Sequence, residues 1–139
     1  MTYEFENVPV VAAQTLAASV PVYPPAKALS ASQDRLTEKR FLNDCGIPTA
    51  GFRPVDDQAG LEAAVAEFGG KGVLKTRRMG YDGKGQRVFK GGEDLTGIFE
   101  AMGGVALILE SFVPFEREIS IIAARFADGT VTCYDPAEN

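Results

Sequence analysis

A mixed α/β arrangement, α+β in its middle part, is the fold class this sequence predicts. Short runs of strand-forming residues alternate with segments of helical periodicity, in the order β-α-β-α-β-α-β-β-α-β-β-β. Glycine and proline pairs punctuate the boundaries between them. Hydrophobic residues make up 45% of the 139 and charged residues 24%, enough for one modest domain with a core or for two incomplete subdomains.

Residues 2–6 read as a short strand, and residues 8–19 suit a helix with Pro9 in its first turn, where a missing N–H costs nothing. Residues 20–23 form another short strand closed by Pro24 and Pro25. Ser30 and Gln33 have capping-box spacing, so a helix is expected from there to about Cys45, stopped by Gly46 and Pro48. After a brief extended segment at 52–55, Asp56 or Asp57 caps a helix whose apolar residues Leu61, Ala64, Val65 and Phe68 fall on one face. Gly69 and Gly70 end it. Residues 73–77 form a strand, and a glycine-rich stretch connects it to a second strand at 86–90. Leu95, Ile98, Phe99 and Met102 repeat the helical pattern. Residues 105–112 and 118–126 are apolar strands, and Asp128-Gly129 is a hairpin signal leading into a last strand at 131–134.

Composition excludes several functions. The net charge of −5 opposes general nucleic-acid binding. Seven cations (Lys71, Lys75, Arg77, Arg78, Lys84, Arg87 and Lys90) are nevertheless clustered locally, as a small anionic ligand would need or as a solvated face would show. With no histidine, His-dependent triads and most catalytic zinc sites are ruled out. Cys45 and Cys133 lack metal-ligand spacing and are expected to be buried thiols. No apolar run reaches membrane-spanning length and no leader pattern opens the chain, so a cytoplasmic location is the expectation.

The chemistry is concentrated at Lys75 and the stretch Gly80-Tyr81-Asp82-Gly83-Lys84-Gly85-Gln86. A strand fixes a lysine firmly, and glycines let backbone N–H groups turn inward to cradle phosphate. The same glycines would equally serve a plain hairpin loop. A Walker A loop is excluded because Gln86 opens a strand rather than a helix. A protein-kinase loop would precede its lysine, and a dinucleotide fingerprint would spell a different glycine pattern.

The run from Lys75 to Gln86 resembles the phosphate loop of the N5-carboxyaminoimidazole ribonucleotide synthases, of the ATP-grasp superfamily. Thr2-Tyr-Glu-Phe-Glu-Asn-Val8, Gln33-Asp-Arg-Leu-Thr-Glu-Lys39, Gly46-Ile-Pro-Thr49, Glu110-Ser-Phe-Val113, Glu116-Arg-Glu-Ile-Ser120 and Tyr134-Asp-Pro-Ala-Glu-Asn139 match that family in order. The resemblance implies that Arg35 and Lys75 contact the phosphates of ATP, and that Gly80, Tyr81, Asp82, Gly83, Lys84, Gly85 and Gln86 fold over the triphosphate. It implies that Glu110, Ser111, Phe112 and Val113 form the hinge that reads adenine, and that Glu118 takes the ribose hydroxyls. Tyr81, Asp82, Lys84 and Glu6, or Glu4, are implied to face aminoimidazole ribonucleotide.

The reaction so implied has two steps: bicarbonate attacks the γ-phosphate of ATP to give carboxyphosphate and ADP, and carboxyphosphate then carboxylates the amine. Mg²⁺ is implied, with ligands expected outside this chain, so no metal ligand is assigned within it. The expected division is the end of an N-terminal domain at 1–28, a linker helix at 29–46, the lid subdomain at 47–112 and the start of a second ATP-grasp subdomain at 113–139. The chain is therefore expected to be a fragment without synthase activity of its own, from a protein whose relatives are often homodimers. Two other readings stay open: a different ATP-grasp ligase, biotin-carboxylase-like or glycinamide ribonucleotide formylating, and a non-catalytic nucleotide-binding module.

Overall fold

The computed structural model describes residues 1–80 and 84–139. Prolines open the first two helices: Pro9 is the N-cap of α1 (Val10–Ala17) and Pro25 that of α2 (Ala26–Ser32). The expected strands at 2–6 and 20–23 reduce to one parallel bridge between Thr2 and Tyr23. Apart from buried Val22 and half-buried Tyr3 their side chains are exposed, and an isolated strand pair that buries so little has little to hold it.

The expected helix starting at Ser30 is corrected. Ser30 lies inside α2, and a second helix, α3 (Arg35–Asp44), starts afresh after Asp34. Asp34 is extended (φ −127°, ψ 115°), and its carboxylate accepts the N–H groups of Leu36 and Thr37 at 3.0 and 3.2 Å. An ionised cap is stronger than a hydroxyl cap and favours the positive end of the helix dipole. The same carboxylate receives Arg77 from far along the chain, so tertiary structure reinforces the break.

The central sheet has four strands, β1 (Phe52–Val55), β2 (Lys71–Thr76), β3 (Gln86–Lys90) and β4 (Leu107–Glu110). They lie in the order β1-β4-β2-β3, every neighbouring pair antiparallel. Between them run α4 (Gln58–Glu67), capped by Asp57, and the short α5 (Ile98–Ala101). The registers put Val55, Leu74, Phe89, Leu107 and Leu109 on one face. There they pack with Leu61, Ala64 and Val65 of α4 and with Ile98 and Phe99 of α5 into the main core. The fold class is thus α+β, an antiparallel sheet with α4 and α5 packed on one face. Gly72 permits the close approach of β2 to β4, since a Cβ there would lie 2.8 Å from the Glu110 carbonyl oxygen.

The strand expected at 118–126 breaks into β5 (Ile119–Ser120) and β6 (Ala123–Arg125). β6 pairs with β7 (Val131–Cys133) across the Asp128-Gly129 turn, and β5 with β8 (Ala137–Glu138), a strand the sequence did not announce. These two ribbons are exposed on both faces. Both cysteines are exposed, against expectation. Cys45 sits past the end of α3 at its C-cap, and Cys133 lies in an exposed ribbon.

Candidate functional site

The sheet face opposite the core carries the chemistry. Alternation sends Val73 and Lys75 of β2, and Ile108 and Glu110 of β4, to that second face. β4 is buried along its whole length, so Glu110 is an anion at the end of an otherwise apolar strand. Its carboxylate is compensated from two directions. Lys75 Nζ donates to Glu110 Oε2 at 3.1 Å, and Lys39 Nζ lies 3.3 Å from the same oxygen. All three side chains are largely shielded, at 24, 16 and 11% exposure for Lys75, Lys39 and Glu110. Such partners offset the cost of taking a carboxylate out of water.

Helix α3 lies beside this face. Arg35 and Lys39 are four residues apart and so point the same way from the helix. Lys39 goes to Glu110, while Arg35 Nη2 donates to the Gly80 carbonyl at 3.2 Å. The start of α3 is tied to the end of β2 by the Arg35 N–H, which donates to the Arg77 carbonyl at 2.9 Å. The Arg77 guanidinium in turn grips Asp34 with Nε at 3.1 Å from both oxygens and Nη2 at 2.8 Å from Oδ2. Burial alone would raise the Asp34 pKa, but the Arg77 contact and the two cap N–H groups outweigh it and hold the group below the usual carboxylate range. Gly85 closes the loop base: its carbonyl accepts the Thr76 N–H at 2.8 Å, and its φ of +70° suits glycine.

A pocket of about 180 Å³ opens where α3 meets the loop, lined by Glu6, Gln33, Arg35, Glu38, Arg78 and Gly80 among others. Gln33 orders one wall, its amide donating to the carbonyls of Glu6 and Val8 and its oxygen accepting from Arg78 at 2.8 Å. Burial raises the Glu38 pKa; Arg35 and Lys39 pull it back only partly, and Glu6 and Glu110 push it further up. The pocket thus offers guanidinium groups for an anion beside carboxyl groups for an amine.

Of the residues singled out from sequence, the structure joins Arg35, Lys75, Gly80, Gly85 and Glu110 into one connected group and places Glu6 at its edge. Gln86 opens β3 directly opposite Lys75. Tyr81, Asp82 and Gly83 lie outside the described residues, and Lys84 lines the loop with an exposed side chain. Along the expected hinge, the Ser111 N–H donates to the Gly51 carbonyl at 2.7 Å and the Val113 carbonyl accepts from Phe115 at 2.9 Å. Phe112 and Val113 are exposed. Glu118 contacts Asn139 rather than the Lys75–Glu110 group. Sequence reasoning missed Lys39, Glu38 and the Asp34–Arg77 pair. The four-residue spacing of Arg35 and Lys39 was the one available clue to Lys39.

Among the described residues, no group of three or more His, Cys, Asp or Glu side chains is placed to hold a metal ion. Glu110 is already matched by two ammonium groups. This donor set does not fit a metal.

The model of the ATP-grasp domain matches residues 40–139. The N5-carboxyaminoimidazole ribonucleotide synthase of Brucella melitensis is 53% identical over 141 residues, which take in 100% of this chain and 39% of that protein. The crystal structure of N5-carboxyaminoimidazole ribonucleotide synthetase from Thermus thermophilus superposes with a TM-score of 0.85 at 48% identity, covering 99% of this chain and 37% of its own. A structure of the Aspergillus clavatus N5-carboxyaminoimidazole synthase, in complex with ADP and 5-aminoimidazole ribonucleotide, gives a TM-score of 0.83 at 25% identity over 94% of this chain and 34% of its own. The chain therefore spans about two fifths of the length of the relatives it matches.

Proposed function

The chain belongs to the ATP-grasp family, and from that premise we propose that it supplies the phosphate-loop side of an ATP site in a protein that carboxylates 5-aminoimidazole ribonucleotide with bicarbonate. The observation that carries the reading is the Lys75–Glu110 pair on the sheet face opposite the core, beside the glycine loop that joins β2 to β3. Two strands fix an ammonium group and a carboxylate together, one for phosphate oxygens and the other for N–H groups of a base. The names of the relatives supply the substrate class.

In this reading a bicarbonate oxygen attacks the γ-phosphorus and the bond to the ADP leaving oxygen breaks, giving carboxyphosphate and ADP. The amine nitrogen of the ribotide then bonds to the carboxyl carbon, directly or through CO2, and phosphate leaves as the amine loses a proton. The residues of this chain act by holding charge and position. Lys75 and Arg35 neutralise phosphate oxygens, and the loop keeps water from carboxyphosphate. Glu6, Glu38 and Arg78 at the adjoining pocket suit a ligand with both an amine and a phosphate. Any Mg²⁺ accompanying ATP takes its protein ligands from carboxylates outside this chain. Residues 47–112 serve as the lid unit, and 113–139 as the start of the unit facing it. No helix among the described residues is long and apolar enough to cross a membrane.

The test is a hybrid in which residues 1–139 replace the matching segment of the Brucella melitensis relative. ADP release that depends on both bicarbonate and aminoimidazole ribonucleotide supports the reading. A hybrid that melts like its parent yet releases ADP only with another acceptor, or binds no ATP, sinks it.

A further inference from the structure

Glu110 is about 9% exposed and has two cationic partners on one oxygen, Oε2; its other oxygen, Oε1, takes no hydrogen bond from the described residues. If Lys75 serves the phosphates, it must divide its charge between a ligand and Glu110. A buried carboxylate losing its partner at the moment of binding would oppose that binding. Lys39 removes the conflict. It comes from α3, outside the sheet, and lies 3.3 Å from the oxygen that Lys75 also contacts.

We propose that Lys39 is a positioning residue for base selection: its contact at Oε2 holds the Glu110 carboxylate turned, with Oε1 presented to the ligand, while Lys75 turns to the phosphates. The inference rests on the nucleotide reading above. An ionised carboxylate only accepts hydrogen bonds, so a fixed Glu110 favours a purine edge with an amine over one with a carbonyl at the same place. Without Lys39, Lys75 still turns to the phosphates, and the carboxylate is no longer pinned. Grip on the adenine base is what suffers.

The experiment measures ATP, GTP and inorganic tripolyphosphate binding to the hybrid protein, with Lys39 intact and as Lys39→Met, Lys39→Gln and Lys39→Arg, alongside each melting curve. In Lys39→Met, ATP binding is expected to weaken about tenfold, the size of one lost charge-assisted contact. GTP and tripolyphosphate should change little, so the ATP-to-GTP ratio falls by the same factor, and Lys39→Arg should restore most of it. Equal weakening of all three ligands would make Lys39 a direct phosphate contact and overturn the proposal. An unchanged ratio in Lys39→Met, or in Lys39→Gln should the Met variant fail to fold, overturns it as well. A parent hybrid that binds no ATP defeats the nucleotide reading. One that binds ATP and keeps its ratio when Lys39 is changed defeats this inference alone.

Discussion

Lys75 and Glu110, 35 residues apart in sequence, meet at 3.1 Å on the face of the sheet turned away from the core. The antiparallel register of β2 and β4 makes this contact: Val73 lies opposite Glu110, and Lys75 is two residues further along the same face. Replacing Lys75 with methionine keeps the stem and removes the charge. ATP binding by the hybrid should weaken roughly 10- to 100-fold, as loss of a charge-assisted contact requires. Calorimetric titration with Mg-ATP checks this, and unchanged affinity would remove Lys75 from the site.

Asp34 caps α3 and holds Arg77, so Asp34→Ala should cost about 2–4 kcal/mol, one cap plus one part-buried charged pair. Chemical denaturation at neutral pH measures it. The pKa of Asp34 is depressed in the folded state, so its contribution is present above the unfolded carboxylate range, about pH 4, and is lost as pH falls through the lower folded value. The stability gap between the parent and Asp34→Asn should therefore close in acid. A gap independent of pH would show that the charge on Asp34 is not what stabilises.

Glu38 has the opposite sign. Its pKa is raised in the folded state, first by burial, so its favourable contribution is complete below the unfolded value, about pH 4, and is lost as pH rises through the folded one. Glu38→Gln should melt higher than the parent at pH 7, and the difference should vanish near pH 4. The gain stays below about 1 kcal/mol, because the side chain is only part-buried and solvent screens it. A lower melting temperature at pH 7 would contradict this and mark Arg35 or Lys39 as a stabilising partner of the carboxylate.

At Gly85 an added Cβ would lie 2.7 Å from Thr76 Oγ1, at a φ of +70°. Gly85→Ala should destabilise by about 1–3 kcal/mol. Adding Thr76→Ala removes the contact but not the backbone strain, so the double variant should recover only part of the loss. Thermal melts of the single and double variants decide it, and full recovery would mean that the backbone strain costs little.

Much of the fold was legible because it is written locally. The apolar spacing of Leu61, Ala64 and Val65 gave α4, and of the two candidate caps Asp56 and Asp57 the structure uses Asp57. The glycine loop between two strands marked where the chain turns back on itself, and Lys75 and Gln86 do pair across it. The helix break at Asp34 was not legible. Ser30 and Gln33 fit a capping box on spacing alone, and the preference for Asp34 is reinforced by Arg77 at a separation of 43 residues. Cys45 was expected inside because it continues an apolar pattern, yet it lies one position past the end of its helix and is exposed.

The sequence by itself determined which chemistry was present: a strand lysine, a glycine loop, an acidic residue closing an apolar strand, and no histidine. Residue type and short-range spacing are enough for that, since strand alternation and turn glycines act over a few residues. Only the tertiary structure decided which charges meet. Lys39 carried no role on sequence alone, and it joins the site because α3 places it against a buried carboxylate 71 positions further along the chain. The strength of a charge pair depends on distance and on exclusion of water, and both are set by packing between distant segments rather than by neighbours in sequence.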